Sequence, residues 1–246
     1  MPTGANRSAD DAVNMGLQYI LHHLDYPGTY ARILFVDFSS AFNTIVPEIL
    51  HQKLTQFEVP VTTCQWIISF LIDGQQHVRL GSISSKTRSI STGAPQGCVL
   101  SPLLFSIYTN DCTSKNPSVK LLKFADDTTV IGLIQDGDET AYGQEVKQLV
   151  QWCSQHHLEL NHKKTVEMTE DFQRCPPPHT IQNDIVSTVD SFRFLGTTIS
   201  QDLKACPHIY SSQKKAQERL YFLPKDRMGQ GQTATDNTGC GEDHCS

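Results

Sequence analysis

The chain of 246 residues carries 20 lysines and arginines against 26 acids, a formal charge of −6, and 38% of its residues are hydrophobic. This composition supports one large or two small packed domains, and no apolar run is long enough to span a membrane. The net charge argues mildly against non-specific binding of nucleic acid, although bases outnumber acids locally between residues 202 and 227. The first residues lack the apolar core of a signal peptide, so we expect an intracellular protein.

The first quarter of the chain predicts a helix, a buried strand and two further helices. Ser8–Leu24 has one apolar stripe and a capping box at its start. Arg32–Phe38 contains a continuous apolar run, typical of a strand buried on both faces, and Asp37 stands at its end. That carboxylate is either a helix cap or a functional group at the mouth of a sheet. The next helix begins at Pro47.

The following segment predicts a helix, a strand pair and a glycine-containing loop. The inward side chains of the helix Thr62–Ile72 are expected to be Trp66, Ile67, Phe70 and Leu71. Two strands around a turn are expected over Gln75–Gly81 and Ser82–Ser91. Thr92–Gly97 is a loop by composition, and the helix Ser101–Asp111 follows it. Taken alone, this loop is an ordinary Gly-Pro turn.

The stretch Leu121–Ile134 predicts a β-hairpin with Asp126 and Asp127 at its tip. Two apolar runs of strand length flank the acids, and the second run is rich in β-branched residues. Taken alone, the pair is better explained as a polar turn, because aspartate is common in turns and an exposed tip costs little. The remaining predicted elements are a helix, Glu145–His157, a strand, Thr165–Met168, and a strand pair, Phe192–Ile199.

The order of these helices and strands is that of an α+β fold. If the strand Ile33–Val36 lies beside the hairpin, Asp37 and the two tip acids converge at one edge of the sheet. Three carboxylates packed together raise one another's pKa and destabilise the fold. Divalent cations remove that repulsion, and two Mg²⁺ ions can activate an attacking hydroxyl and stabilise the leaving oxygen in a displacement at phosphorus. Polymerases use this chemistry.

Five motifs resemble the reverse transcriptase domain of LINE-type non-LTR retrotransposons. They are Phe35–Phe42, Thr92–Pro102, Phe124–Asp127, Leu160–Thr165 and Phe194–Gly196. All five occur in the order of the family, in a resemblance that covers residues 6–223, and this combination is far more specific than any single motif. The resemblance implies an α+β polymerase palm, with a small antiparallel sheet packed on helices, and RNA-directed DNA polymerase activity.

The resemblance implies roles for the residues in and beside the acidic cluster. Asp37 and Asp126 would be the main metal ligands, and Asp127 would assist them. The backbone carbonyl of Phe38 would be a further ligand, and the cofactor would be Mg²⁺ or Mn²⁺. Lys164 would approach the triphosphate and protonate the departing pyrophosphate, whereas without the resemblance it is most simply a solvated lysine.

The resemblance also implies contacts with nucleotide, template and primer. Phe42 would lie under the sugar of the incoming deoxynucleoside triphosphate and exclude a 2′-hydroxyl, whereas without the resemblance it is a core aromatic. Gln96 and Gly97 would contact nucleotide and template. The residues that would place the 3′ end of a DNA primer are Phe194, Leu195 and Gly196. The template would be RNA, held through shape and backbone, and no membrane partner is expected.

The resemblance divides the chain into a palm, a partial thumb and a tail. The palm would cover residues 1–200, with a remnant of the fingers at 1–27, and the thumb would begin at 201–223. The composition of residues 224–246 cannot build a core and predicts either disorder or an aberrant end of the gene. Because the fingers are largely missing and phosphoryl transfer depends on positioning and charge stabilisation, we expect very weak or no activity from the isolated chain.

Two hypotheses follow from these motifs and departures. The first is a polymerase fragment with an intact metal site, whose activity needs the missing parts. The second is a retroelement-derived remnant without catalysis, acting at most as a nucleic-acid or protein interaction module.

Overall fold

The computed structural model describes residues 8–72, 74–170, 178–181 and 184–201. Within these ranges there are five α-helices: α1 (Ala9–Leu24), α2 (Pro47–Gln56), α3 (Val61–Leu71), α4 (Leu100–Tyr108) and α5 (Thr140–Gln155). A short 3-10 helix covers Ala41–Thr44. The strands are β1 (Thr29–Val36), β2 (Gly74–Gln76), β3 (Arg79–Leu80), β4 (Ile83–Ser84), β5 (Arg88–Ile90), β6 (Val119–Phe124), β7 (Asp127–Gln135), β8 (Val166–Glu170), β9 (Thr180–Ile181), β10 (Asp184–Ile185), β11 (Ser187–Thr188), β12 (Ser191–Phe194) and β13 (Thr197–Ser200).

Helix α1 begins at the predicted capping box. The Ser8 hydroxyl accepts a hydrogen bond from the Asp11 amide at 3.2 Å, and the Asp11 carboxylate accepts one from the Ser8 amide at 2.8 Å. These bonds satisfy amides that the first turn leaves without a helical partner. The apolar stripe is buried at Val13, Leu17 and Ile20, whereas Leu21, also expected in the stripe, is 41% exposed.

A five-stranded sheet with the order β11-β8-β1-β7-β6 forms the centre of the fold. Its neighbouring strands are antiparallel except for β11, which runs parallel to β8. Strand β1 lies in the middle and begins earlier than predicted, at Thr29 rather than Arg32. Its central residues are buried on both faces, as the continuous apolar run predicts. The mixture of helices with one central sheet agrees with the predicted α+β class.

Helices cover both faces of this sheet. Helix α1 packs on the face that carries Ile33 and Ile131, which are paired across β1 and β7. Helix α5 packs on the other face, where Tyr142 lies directly over Gly132. A Cβ atom at Gly132 would stand 2.5 Å from the Tyr142 ring, so the glycine makes room for the aromatic side chain. The core therefore lies on both sides of β1, whose end carries Asp37.

A cluster of buried charged side chains lies beneath α5 and joins this helix to β1 and β8. Arg32 is 1% exposed and donates to Glu167 at 2.5 Å and to Glu139 at 2.7 Å. The Tyr142 hydroxyl donates to Glu167 at 2.6 Å, and the His179 ring lies edge-on to the Tyr142 ring. Burial alone lowers the pKa of Arg32, but its hydrogen bonds and ion pairs with both glutamates raise it overall. This cluster links side chains of β1 and β8 with the start of α5.

The region between α3 and the 92–97 loop differs from the prediction in two ways. Trp66 and Phe70 were expected inward, but they are 58% and 38% exposed, because α3 buries Cys64, Ile67 and Leu71 instead. The two predicted strands are each broken into two short pieces. Strand β2 pairs with β5 and β3 with β4, giving two small antiparallel ladders.

The predicted thumb at 201–223 and the predicted tail at 224–246 fall outside the described residues, apart from position 201. Of the helices that the structure describes, none has the length and apolar character needed to cross a membrane.

Candidate active site

The three predicted catalytic acids lie at one end of the central sheet. Asp37 directly follows β1, and the last register pair of β1 with β7 joins Val36 to Thr128. Asp127 is the first residue of β7 and pairs with Phe124, which closes a two-residue turn. This places Asp127 in a strand rather than at the turn itself. The antiparallel register therefore brings the end of β1 beside the acidic turn, as the sequence predicts.

The charges of the acids act on one another. Partial burial and the negative charges of Asp126 and Asp37 raise the pKa of Asp127. Across the ranges that the structure describes, no three His, Cys, Asp or Glu side chains stand close enough together to hold a metal ion as they are placed. The donor chemistry nevertheless fits a hard divalent cation, because carboxylate oxygens are its preferred ligands and a cation would relieve their repulsion.

The turn that precedes β8 brings Lys164 to the same end of the sheet. The Asn161 amide donates to the Asp37 carbonyl at 2.9 Å, and the Thr165 amide donates to the Asn161 carbonyl at 2.8 Å. The Asp37 amide in turn donates to the Thr165 hydroxyl at 3.3 Å. The Lys164 Nζ lies 3.9 Å from Asp37 Oδ2, and its side chain is 70% exposed. The lysine can therefore meet both Asp37 and a ligand arriving from solvent.

The backbone around Phe38 continues the line of β1. Phe38 forms an antiparallel bridge with Leu160. The carbonyls of Asp37 and Glu159, which precede these two residues, accept the hydrogen bonds of the bridge. In such a pair the N–H and C=O groups of Phe38 itself point away from Leu160. Since Leu160 lies on the β8 side of the strand, the Phe38 carbonyl points to the side on which β7 and the acidic turn lie.

Phe42 stands on the 3-10 helix that follows. Its ring is half-buried and meets the fully buried Phe105 ring edge-on, with centroids 5.6 Å apart. The Phe42 carbonyl accepts a hydrogen bond of 2.7 Å from the Ala94 amide, so the glycine-containing loop is tied to this helix. Phe42 is thus both a packed aromatic and a half-exposed side chain beside the loop.

The two glycines of the loop have different tasks. Gly93 has φ +87°, and a Cβ atom there would stand 2.6 Å from the Asn43 Cα atom. Its close approach is therefore to the protein's own backbone. Gly97 has φ +77°, and nothing lies within 4 Å of the position of its Cβ. Gly97 and its exposed neighbour Gln96 leave an open surface for a ligand.

The three predicted primer residues lie in the β12–β13 hairpin. Phe194 pairs with Thr197, and the turn between them contains Leu195 at φ +48° and Gly196 at φ +87°. The Phe194 ring is buried and lies 5.7 Å from the ring of Phe35, two residues before Asp37. The hairpin tip is thereby anchored on the face of β1 that leads to Asp37.

Sequence reasoning missed the residues that hold this site together. Thr165 and Phe105 are buried supports of Asp37 and Phe42, and Gly93 seats the loop. The motifs contain Thr165 and Gly93, but their contacts join segments that are distant in the chain. The sequence contains no local signal for such contacts.

A family model for "Reverse transcriptase (RNA-dependent DNA polymerase)" matches residues 4–199 of the chain. This match includes every residue for which a site role is predicted. It confirms the family that the five motifs indicate.

Curated relatives match most of the chain. A Drosophila melanogaster protein named "Probable RNA-directed DNA polymerase from transposon BS" is 27% identical over 206 residues, or 79% of this chain and 23% of that protein. The Drosophila melanogaster "RNA-directed DNA polymerase from mobile element jockey" is 24% identical over 219 residues, or 82% of this chain and 24% of that protein. The chain thus spans less than a quarter of the length of these relatives.

Solved structures share the fold. Telomerase from Candida albicans, in complex with a fragment of telomeric RNA, aligns with a TM-score of 0.56 and 15% identity, covering 79% of this chain and 33% of that one. Apo telomerase from Candida tropicalis, truncated from its C-terminal domain, aligns with a TM-score of 0.53 and 16% identity, covering 80% of this chain and 38% of that one. At such identities the likeness is one of fold.

Proposed function

Since the chain belongs to the reverse transcriptase family, we propose that its described part is a polymerase palm that supports DNA synthesis on an RNA template. The observation that carries the proposal is the meeting of Asp37 with the Asp126-Asp127 turn at one end of the sheet. Burial and the charges of Asp126 and Asp37 raise the pKa of Asp127 in the absence of a cation, an arrangement that does not favour stability but suits metal-assisted phosphoryl transfer.

The residues that would hold Mg²⁺ or Mn²⁺ are Asp37, Asp126, Asp127 and the backbone carbonyl of Phe38. The orientation of that carbonyl supports the assignment, because it points away from Leu160 and to the side of the acidic turn. When bound, such ions neutralise the phosphates and favour attack of the primer hydroxyl on the nucleotide. The protein's own contribution is the β1–β7 pairing, which holds the acids at neighbouring ends of two buried strands.

Lys164 would act on the triphosphate. Its Nζ is near Asp37 and largely solvated, so it is a charged donor within reach of a nucleotide phosphate at the acidic end of the sheet. Its role would be to bind that phosphate and to donate a proton to the pyrophosphate that leaves. The main-chain bonds from Asn161 and Thr165 fix the turn that carries it.

Phe42, Gln96 and Gly97 would form the nucleotide and template subsite. The Phe42 ring is held edge-on by Phe105, so a rigid aromatic surface would meet the sugar and select deoxynucleotides by steric exclusion. Gln96 and Gly97 are exposed, and the open space around Gly97 supports close approach of a ligand. The tip of the β12–β13 hairpin, Leu195-Gly196, would place the primer 3′ end, with Phe194 as its anchor.

The partners would be an RNA template, a DNA primer and deoxynucleoside triphosphates. Primer extension on an RNA template with Mg²⁺ or Mn²⁺ tests this proposal, with Asp126→Asn assayed beside the unaltered chain. Because the isolated chain is expected to be very weakly active at most, we expect a low level of metal-dependent incorporation that the variant loses. Equal incorporation by both proteins contradicts the catalytic assignment, and no incorporation by either supports the alternative of a retroelement-derived remnant.

A further inference from the structure

An exposed pair of stacked aromatic rings lies on α3, beside its buried stripe. Trp66 and Phe70 are one helical turn apart, their ring centroids are 6.1 Å apart and their planes differ by 13°. The two side chains are 58% and 38% exposed. Large aromatic rings that stack on each other while facing solvent are unusual in a chain that has apolar surface to bury, and they call for a partner.

A cleft of about 610 Å³ is lined both by Phe70 of this pair and by Gln96 of the proposed nucleotide subsite. Its lining also includes Asn43, the neighbour of Phe42. The amide side chains of Gln75 and Gln76 are further parts of this lining. Neutral amides donate and accept hydrogen bonds without demanding an opposite charge, which suits the edges of nucleobases and the hydroxyls of sugars.

The segment that contributes most of the cleft is positively charged, whereas the whole chain is negatively charged. Residues 74–110 contain Arg79, Lys86 and Arg88 and no acid, although the chain as a whole has a charge of −6. The three bases are exposed, and Arg88 pairs with Gln76 across β2 and β5, beside the cleft. A surface with cations, amides and aromatic rings is complementary to a polyanion with π-faces.

We propose that Trp66 and Phe70, with the amide-lined cleft, form a stacking platform for unpaired bases of a single-stranded nucleic acid on its way to the site at Gln96. The proposal rests on the proposed function for the identity of that strand as the template. The platform would bind strands of different nucleotide sequence alike, because every nucleobase has a π-face and the cleft offers few charged groups that could distinguish nucleobase edges. A protein is the less suitable occupant, because its apolar surface would have to lie against the exposed cationic side chains beside the cleft.

The intrinsic fluorescence of Trp66 provides a direct test. The chain has two tryptophans, Trp66 and Trp152. In a Trp152→Phe background, which keeps a ring over His156, Trp66 is the only tryptophan left to emit. We expect a single-stranded oligouridine of about 12 nucleotides to quench this emission saturably, and a blunt RNA duplex of equal length to quench it much less, because its bases are already stacked.

Substitutions separate stacking from simple apolar contact. Trp66→Leu and Phe70→Leu keep apolar bulk and remove the ring, and each should weaken binding of a fluorescently labelled oligouridine by about tenfold. Tyr26→Leu is the matched control, because Tyr26 is as exposed as Trp66, at 58%, and lies in the turn after α1. It should leave the affinity unchanged.

The outcomes distinguish the platform from the proposed function. Unchanged oligouridine affinity in Trp66→Leu and Phe70→Leu, or equal quenching by duplex and single strand, overturns the platform. So does a wild-type chain that self-associates through this face and fails to bind the oligomer. If oligouridine binding depends on both rings while primer extension is absent, the proposed function fails and the platform stands. The reverse result leaves the function and removes the platform.

Discussion

The Asn161 amide donates a 2.9 Å hydrogen bond to the carbonyl oxygen of Asp37. This bond holds the turn that carries Lys164 against the end of the strand that carries the proposed catalytic carboxylate. As a result the Lys164 Nζ lies 3.9 Å from Asp37 Oδ2, although the two residues are far apart in sequence. The placement of a lysine at the acidic end of the sheet is therefore a property of the backbone, and its chemistry can be tested apart from its position.

The chain offers a matched pair of neighbouring lysines for that test. Lys164→Ala should lower the rate of single-turnover primer extension by roughly 10²–10⁴-fold, the range that positioned proton donors contribute. Lys163→Ala removes an equally exposed lysine from the same turn and should change the rate little. Equal loss in both variants would show that the turn supplies only general positive charge. Thermal unfolding should be alike in the two variants, because both side chains are exposed.

The two loop glycines should respond differently to a methyl group. Gly93→Ala forces a Cβ atom to within 2.6 Å of the Asn43 Cα atom at a positive φ, so we expect it to lower the free energy of unfolding by about 2–4 kcal/mol. Gly97→Ala meets no atom within 4 Å and should cost only about 1 kcal/mol for its positive φ. Denaturant unfolding of both variants measures this. Equal stability losses would contradict the separate tasks assigned to these glycines.

Much of the site can be predicted from sequence because its residues stand at the ends of strongly patterned elements. The apolar run of β1 and the β-branched run of β7 identify two buried strands, and antiparallel pairing then brings Asp37 beside Asp126-Asp127. The turn type could not be predicted, because Ala125 adopts φ +53° without the glycine or asparagine that usually marks such a turn.

The buried ion cluster should be the most sensitive point of the fold outside the site. Arg32→Met leaves Glu167 buried without its cation, so we expect a loss of about 3–5 kcal/mol in the free energy of unfolding. The double variant Arg32→Met with Glu167→Leu should recover part of that loss, because no buried charge is left alone. Arg88→Met, at an exposed position on β5, is the control and should change stability by less than about 0.5 kcal/mol. A single and a double variant of equal stability would contradict the coupling.

The His179 ring beside this cluster should make stability depend on pH. Burial lowers the pKa of His179, although Glu167 opposes this effect. The unfolded chain therefore binds a proton more readily than the folded one, and stability from this group is present above about pH 6.5 and is lost as the pH falls below that value. His179→Phe keeps a ring against Tyr142 and should reduce the loss in melting temperature between pH 7.5 and pH 5.5. An identical pH dependence in both proteins would contradict this assignment.

Two features could not be predicted from the sequence, for physical reasons. Arg32 and Glu167 are 135 residues apart in the chain and are paired across neighbouring strands. No local sequence pattern identifies the partner of either residue. Helix α3 is apolar on more than one side, so both the Cys64-Ile67-Leu71 stripe and the Trp66-Phe70 pair have helical spacing. Only packing against the neighbouring elements decides which stripe is buried, and here the aromatic pair remains exposed.

A Mn²⁺ titration followed by electron paramagnetic resonance tests the central claim most directly, because it does not depend on activity. Asp37 and Asp126 lie on different elements, so Asp37→Asn and Asp126→Asn should weaken the same Mn²⁺ site, each by at least about tenfold. Asp136→Asn changes an acid that follows the far end of β7 and should bind Mn²⁺ like the unaltered chain. Unchanged Mn²⁺ affinity in both Asp37→Asn and Asp126→Asn would contradict a shared metal site at this end of the sheet.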